Sequence, residues 1–309
     1  MKILTLGGTG MVGENLQKSF HNKNLQGIFV GKGINNEYNL LDWNKTHKLF
    51  SETHPEVVIF AAANVGGIQY NMNNAGTLIR ENLLMGINVL DACLEFKVSN
   101  VYIPTTCCAY PKLCKTPFSE DDLWEGLPEF SNSAYAIAKK TILKMSQDYR
   151  QQFGLKTTCF ISANLYGPHD HFDLKNSHVI PALINKFINA KENNLPFVEC
   201  WGTGTATRDM FFAPDLADVL TDCVINNFDH SEPINLGTGT DISIKDLALL
   251  IAELTNYDGN IVFTGQVSDG QPKRLLSVAR AKQLLNWEAG TSLRRGLKET
   301  IAWYQENKS

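Results

Sequence analysis

The sequence predicts an α/β fold, a doubly wound parallel sheet joined to a smaller mixed α/β lobe. Three observations carry this: short apolar runs alternate with helical patterns in the first half, a glycine-rich turn follows the first run directly, and a looser second half continues without a low-complexity linker. Lys2 to Leu6, Gly27 to Val30, Val57 to Phe60, Val101 to Ile103 and Thr157 to Ile161 have the length and apolarity of buried strands. Between them, Val12 to Phe20, Asn44 to Ser51, Leu83 to Glu95 and Ala134 to Gln152 place apolar residues at helical spacing. Parallel strands joined through helices cross over with one hand, so such a series builds a sheet covered on both faces. After Gly167-Pro168 a polar loop, His169 to Ser177, leads to a helix opening near His178, and Ile244 to Leu254 and Leu293 to Glu306 read as later helices.

Bulk composition narrows the function classes. Of 309 residues, 43% are hydrophobic and 19% charged, too apolar for a disordered chain. A net charge of -4 argues against nucleic acid as a partner, because phosphate binding needs an extended positive face. The opening MKILTLGGTG lacks the three-part form of a secretory signal, and no stretch approaches the roughly 18 apolar residues of a membrane span, so no membrane association and a cytoplasmic location are expected. Seven cysteines, with Cys107 and Cys108 adjacent and no CxxC spacing, fit reduced thiols, and the seven scattered histidines give no metal centre.

Gly7, Gly10 and Gly13 form GGTGMVG between the first strand and the first helix, which opens through Met11 and Val12. The first glycine permits the tight turn, the second lets backbone approach a pyrophosphate, and the third packs helix on sheet; the helix N-terminus adds free N–H groups and a positive dipole end. After the second strand, Val30-Gly31-Lys32-Gly33 holds no carboxylate for a ribose diol, which favours NADPH over NADH. Lys32 is set to meet a 2'-phosphate, with a solvated loop lysine as the other reading. Asp42 is placed to touch the adenine, and Ala62, within Ala61-Ala62-Ala63, to pack beside the cofactor.

Tyr135 and Lys139, in YAIAK, lie one helical turn apart on one face. Reduction of a ketone leaves an alkoxide that must receive a proton, and a neighbouring ammonium is expected to lower the phenol toward a useful pKa. At the end of the fourth strand Thr106, with Thr105 as its rival, can hydrogen-bond the carbonyl.

The glycine turn, Thr106 and YAIAK together resemble the extended short-chain dehydrogenase/reductase family, whose members act on nucleotide sugars. The sugar dehydratases of that family carry an Asp-Glu pair after the threonine; Cys107-Cys108 stands there instead, which argues against dehydration. The closer resemblance is to the GDP-L-fucose synthase branch. It runs through Val65-Gly66-Gly67-Ile68, Cys108-Ala109-Tyr110-Pro111-Lys112, Ser133 to Lys139, Asn164-Leu165-Tyr166-Gly167-Pro168-His169-Asp170, Asn176 to Leu183, Trp201-Gly202-Thr203-Gly204 and Asp269-Gly270-Gln271-Pro272, in order over nearly the whole chain.

The resemblance implies a Rossmann unit over residues 1–166, completed by about residues 207–238, and a mainly substrate-binding lobe over 167–309. It implies NADPH-dependent inversion of C3 and C5 of a GDP-linked 4-keto sugar followed by reduction at C4, with Cys108 and His178 moving carbon-bound protons. Which of the two is base and which acid stays open. Tyr135, Lys139 and His178 also face the cofactor in this family. Lys186, Trp201, Arg208 and Arg274 match positions that hold the nucleotide, although spacing hardly separates Arg274 from Lys273. The chain departs from the family at Thr9, where a basic residue is common, and at Asn64, a lysine in some members. A reductase of another GDP-4-keto sugar, such as a heptose, with little epimerisation would share these motifs. A noncatalytic protein on the same fold would be expected to lose Tyr135 or Lys139, and both are present. Pairing as a homodimer is expected through the helices at Leu83 to Glu95 and Ala134 to Gln152.

Overall fold

The structure, a computed structural model, describes residues 1–31, 38–174, 177–265 and 270–308. The first half runs β1 (Ile3–Leu6), α1 (Met11–Asn22), β2 (Ile28–Val30), α2 (Trp43–Thr53), β3 (Val57–Phe60), α3 (Ile68–Asn73), α4 (Ala75–Glu95), β4 (Asn100–Thr106), α5 (Ser133–Phe153) and β5 (Thr157–Ser162). The second runs β6 (Asn164–Tyr166), α6 (Val179–Glu192), β7 (Phe197–Cys200), β8 (Thr207–Arg208), β9 (Met210–Phe212), α7 (Ala213–Ile225), β10 (Ile234–Leu236), β11 (Ile242–Ser243), α8 (Ile244–Thr255), β12 (Asn260–Phe263), β13 (Lys273–Arg274), α9 (Ala279–Leu285) and α10 (Leu293–Asn307).

Among the described residues six parallel strands form the main sheet, in the order β10-β5-β4-β3-β1-β2. All four residues of β1 and of β3 are buried, as strands covered on both faces require. The chain travels outward from β1 to β2, then crosses back to β3 and on through β4 and β5. Right-handed crossovers therefore place α1 on one face and α4 and α5 on the other. α1 packs on α7, tied by a Ser19 hydroxyl donating to Asp218 at 2.6 Å, and α4 packs on α5. The direction reverses between β1 and β3, and at such a point the carboxyl ends of the strands leave a crevice.

The described residues form two hydrophobic cores. The first lies around the sheet and takes in Phe211, Leu216, Leu220 and Leu236 from α7, β10 and their approach. The second gathers Ile184, Phe187, Leu247, Ile251 and Leu297 where α6, α8 and α10 meet. A three-stranded sheet, β11-β8-β13, stands at the junction and pairs Arg274 beside Arg208.

The helix expected from Leu83 begins at Ala75. Its first two turns are held by polar contacts rather than an apolar stripe: the buried Asn82 amide donates to the Asn64 carbonyl at 2.8 Å, and the Asn64 N–H donates back to the Asn82 side chain at 3.1 Å. Periodicity of apolar residues is silent on such a segment.

Candidate active site

At the crevice, β1 ends in a turn whose shape only glycine allows. Gly7 has φ 92°, a left-handed conformation, and a Cβ there would meet the Ala62 nitrogen at 2.7 Å. The N–H groups of Gly7 and Gly8 both donate to the Val30 carbonyl at 2.8 Å, tying the turn to β2. A Cβ on Gly13 would collide with the Gly7 carbonyl and the Gly8 backbone, so α1 can start this close to the sheet only without one. Gly10 caps α1 in an extended conformation with no side-chain hydrogen bond to the helix, and a Cβ there would meet nothing nearer than the Gly7 oxygen at 3.5 Å. The first turn of α1 therefore offers unshielded N–H groups beside open space, which fits the pyrophosphate of a dinucleotide. Gly13→Ala is expected to cost about 1–3 kcal/mol by overpacking and to weaken dinucleotide binding; urea unfolding and fluorescence titration measure the two effects.

This turn forms one end of a cleft of about 480 Å³. Gly7, Gly10, Met11, Val12, Thr106, Cys108, Tyr135, Lys139, His178, Lys186, Trp201, Arg208 and Arg274 all line it. Asp42 and Ala62 do not. Asp42 caps α2, accepting the Lys45 N–H at 3.2 Å, and Ala62 sits behind Gly7, its carbonyl 3.5 Å from the Lys139 ammonium. Lys32 lies outside the described residues.

Tyr135 and Lys139 project from α5, 8% and 3% exposed. Burial pushes the Tyr135 phenol well up, and the charges of Cys108 and Cys107 add to it. This reverses the lowering expected from the sequence. Lys139 is buried too, so desolvation disfavours its own charge and pushes it down to about 8, with its ammonium over the Phe60 ring at 5.4 Å. Below pH 8 both folded and unfolded chains hold the Lys139 proton and the folded chain bears the full cost of the buried charge. Between pH 8 and 10.5 only the unfolded chain keeps it, so stability rises with pH. The unfolding free energy of the wild type relative to Lys139→Met is therefore expected to rise across that window, read by urea melts at several pH values.

β4 delivers Thr106 and Cys108 to the same end of the sheet. The Thr106 hydroxyl accepts the Cys108 N–H at 3.2 Å, which caps a short 3-10 turn, Cys107–Ala109. Thr105 is buried, and its hydroxyl has no hydrogen-bond partner among the described residues. The Arg274 guanidinium donates to the Cys108 sulfur at 3.2 Å. The Cys107 thiol hydrogen-bonds to Cys108 and, with Arg274, Thr106 and the charge of His178, holds it well below an ordinary thiol; Cys107 is pushed up in return. His178 stands at the N-terminus of α6 without capping it and is exposed to the cleft.

At the other end, the Lys186 ammonium donates to the Glu199 carbonyl at 2.8 Å and lies 4.9 Å from the Trp201 ring centre, while Trp201 itself is 48% exposed. A cation beside an open aromatic face suits a phosphate and a flat base. Arg208 is 8% exposed and donates to the Thr207 carbonyl at 2.7 Å. Asn64 is held by Glu81 and Tyr70 at 2.8 and 3.1 Å and does not line the cleft.

Sequence reasoning passed over Asp170. Its carboxyl lines the cleft, 9% exposed, with Oδ1 accepting the His171 N–H at 2.8 Å and Oδ2 without a hydrogen-bond partner among the described residues. Burial pushes it up, and the charge of His178 acts against that. The residue before it, His169, has φ 68°, a left-handed turn that costs a non-glycine residue about 1–2 kcal/mol. Its place in Gly167-Pro168-His169-Asp170 was the available signal.

Residues 3–237 match the NAD dependent epimerase/dehydratase family. The chain is 35% identical to the GDP-L-fucose synthase of Escherichia coli (strain K12), over 99% of this chain and 97% of that protein. It superposes on a GDP-L-fucose synthetase from Naegleria fowleri bound to NADP with a TM-score of 0.89 at 30% identity, covering 99% of this chain and 94% of that one. On a GDP-6-OMe-4-keto-L-xylo-heptose reductase from C. jejuni the TM-score is 0.91 at 27% identity, covering 99% and 98%.

Proposed function

The chain belongs to the NAD dependent epimerase/dehydratase family, and from that premise we propose that it converts GDP-4-keto-6-deoxy-D-mannose to GDP-L-fucose, inverting C3 and C5 and reducing C4 with NADPH. The observation that carries the reading is a single cleft shared by a glycine turn, the Tyr135 and Lys139 pair, and Cys108 with His178.

A ketone at C4 makes the C3 and C5 protons acidic, because the carbanion delocalises as an enolate. Inversion then needs a base on one face and an acid on the other. Cys108, held toward its thiolate, is the base. It takes the carbon-bound proton, the electron pair moves into the enolate, and His178 returns a proton to the opposite face. Thr106 hydrogen-bonds the C4 oxygen and so favours the enolate.

NADPH, when bound at the glycine turn, supplies the hydride for C4. Tyr135 gives its proton to the resulting C4 oxygen. A phenol raised by burial still does so, because an alkoxide is a far stronger base than a phenolate, and the raised value keeps the proton in place until then. Lys139 orients the nicotinamide ribose, and Lys186, Trp201 and Arg208 hold the GDP group. The Rossmann unit, residues 1–166 with about 207–238, binds the dinucleotide, and the lobe over 167–309 binds the sugar nucleotide.

The protein works in the cytoplasm as a homodimer paired through α4 and α5. In support of the pairing, Ile87 on α4 is 40% exposed; no helix among the described residues is long and apolar enough to cross a membrane. The test is NADPH oxidation by the purified chain with GDP-4-keto-6-deoxy-D-mannose. Product that matches GDP-L-fucose by NMR supports the reading. Turnover of a GDP-4-keto heptose alone overturns it in favour of a reductase like the structural relative.

A further inference from the structure

Lys273 and Arg274 are adjacent cations on a two-residue strand, and the pleat sends them to opposite sides. Lys273 turns outward to Asp241, 3.2 Å away, and is 44% exposed. Arg274 turns inward, 6% exposed, with Nη1 donating to the Cys108 sulfur at 3.2 Å and Nε donating to Gln271 Oε1 at 3.1 Å. Gln271 cannot follow a moving guanidinium. It is 3% exposed, and its amide nitrogen donates to the Pro111 and Lys112 carbonyls at 3.1 and 3.0 Å. The backbone is fixed as well, since the Asp209 N–H donates to the Arg274 carbonyl at 2.9 Å.

No carboxylate forms an ion pair with Arg274 among the described residues. A buried guanidinium without a counter-ion is costly, and the Cys108 sulfur is the anionic group in contact with it. We propose that Arg274, aimed by Gln271, is a positioning residue: it is the counter-charge that holds the Cys108 thiolate and points it at the sugar. The proposal rests on the epimerase reading of the cleft. It also addresses turnover: after one inversion Cys108 carries the abstracted proton, and the guanidinium favours its return to solvent so that the thiolate is ready for the second carbon. The titratable and charged groups around Cys108 are Cys107 beside it, Tyr135 on α5, His178 at the start of α6 and Arg274 on β13; Asp209 acts on Cys107, and Glu129 acts on Arg274. Arg274 is the permanent cation in contact.

The test is the pH dependence of Cys108 alkylation by iodoacetamide in the native chain, quantified at that residue by mass spectrometry. In Arg274→Gln the midpoint is expected to rise by about one pH unit, with about a tenfold slower reaction at neutral pH. Deuterium exchange at C3 and C5 is expected to slow in parallel. Arg274→Lys recovers part of both, and Lys273→Gln, which removes the same charge one residue away, changes neither. If Arg274→Gln does not fold, Gln271→Leu must move the midpoint the same way by a smaller amount. An unchanged midpoint with weakened GDP binding overturns the proposal and makes Arg274 a nucleotide contact. Alkylation needs no substrate, so absence of exchange in the wild type overturns the epimerase reading separately, whatever the midpoints are.

Discussion

Tyr135→Phe is expected to lower C4 reduction by about 10²- to 10⁴-fold, the usual contribution of a positioned general acid, while C3 and C5 of the keto sugar still exchange with solvent. The substitution removes one oxygen from a ring that is 8% exposed and leaves the packing of α5 intact. The C4 oxygen then loses its proton donor, whereas the base Cys108 and the acid His178 are untouched. Stopped-flow NADPH oxidation gives the first rate and NMR of the recovered keto sugar in heavy water the second. Loss of both together would mean that the phenol serves the enolate as well. The second rate is the informative one.

Cys108→Ser and His178→Asn are expected to do the reverse. Serine keeps the shape of cysteine, but its hydroxyl is a far weaker acid than a thiol and does not ionise beside Arg274, so proton abstraction from carbon should fall by about 10²-fold or more. His178→Asn removes the proton returned to the other face while leaving a side chain suited to the start of α6. In each variant NADPH oxidation with the uninverted ketone continues slowly, and the product is a reduced sugar with the wrong configuration at one or both carbons. Product analysis after long incubation reads this directly. The two variants separate the roles by label: Cys108→Ser blocks deuterium incorporation at both carbons, whereas His178→Asn permits incorporation without inversion.

Most of the sheet was legible because its strands are short, apolar on both faces and bounded by turns, as Ile3–Leu6 and Val57–Phe60 show. Helix α5 was equally plain, since Ala138, Ile142, Met145 and Tyr149 recur at helical spacing. The start of α4 was hidden, because Asn82 and Asn64 hold it by backbone and amide hydrogen bonds that leave no periodic signal. Asp42, expected to touch the adenine, also caps α2 by accepting the Lys45 N–H, a second use of an aspartate that its position before a helix allows. The choice between Lys273 and Arg274 depends on the phase of a two-residue strand, which no spacing rule fixes. The direction of the Tyr135 shift differs from the expected one for a physical reason: proximity of charges is readable from a motif, but burial is a property of the assembled cleft, and here burial is the larger effect on both Tyr135 and Lys139.

The central claim is that one cleft both inverts and reduces a 4-keto sugar. It is tested most directly by running the wild-type reaction with NADPH and GDP-4-keto-6-deoxy-D-mannose in heavy water and locating deuterium in the product by NMR. The account expects GDP-L-fucose carrying solvent deuterium at both C3 and C5. A reduced product without label at either carbon would contradict it, and would leave Cys108 and His178 as bystanders in a plain ketoreductase.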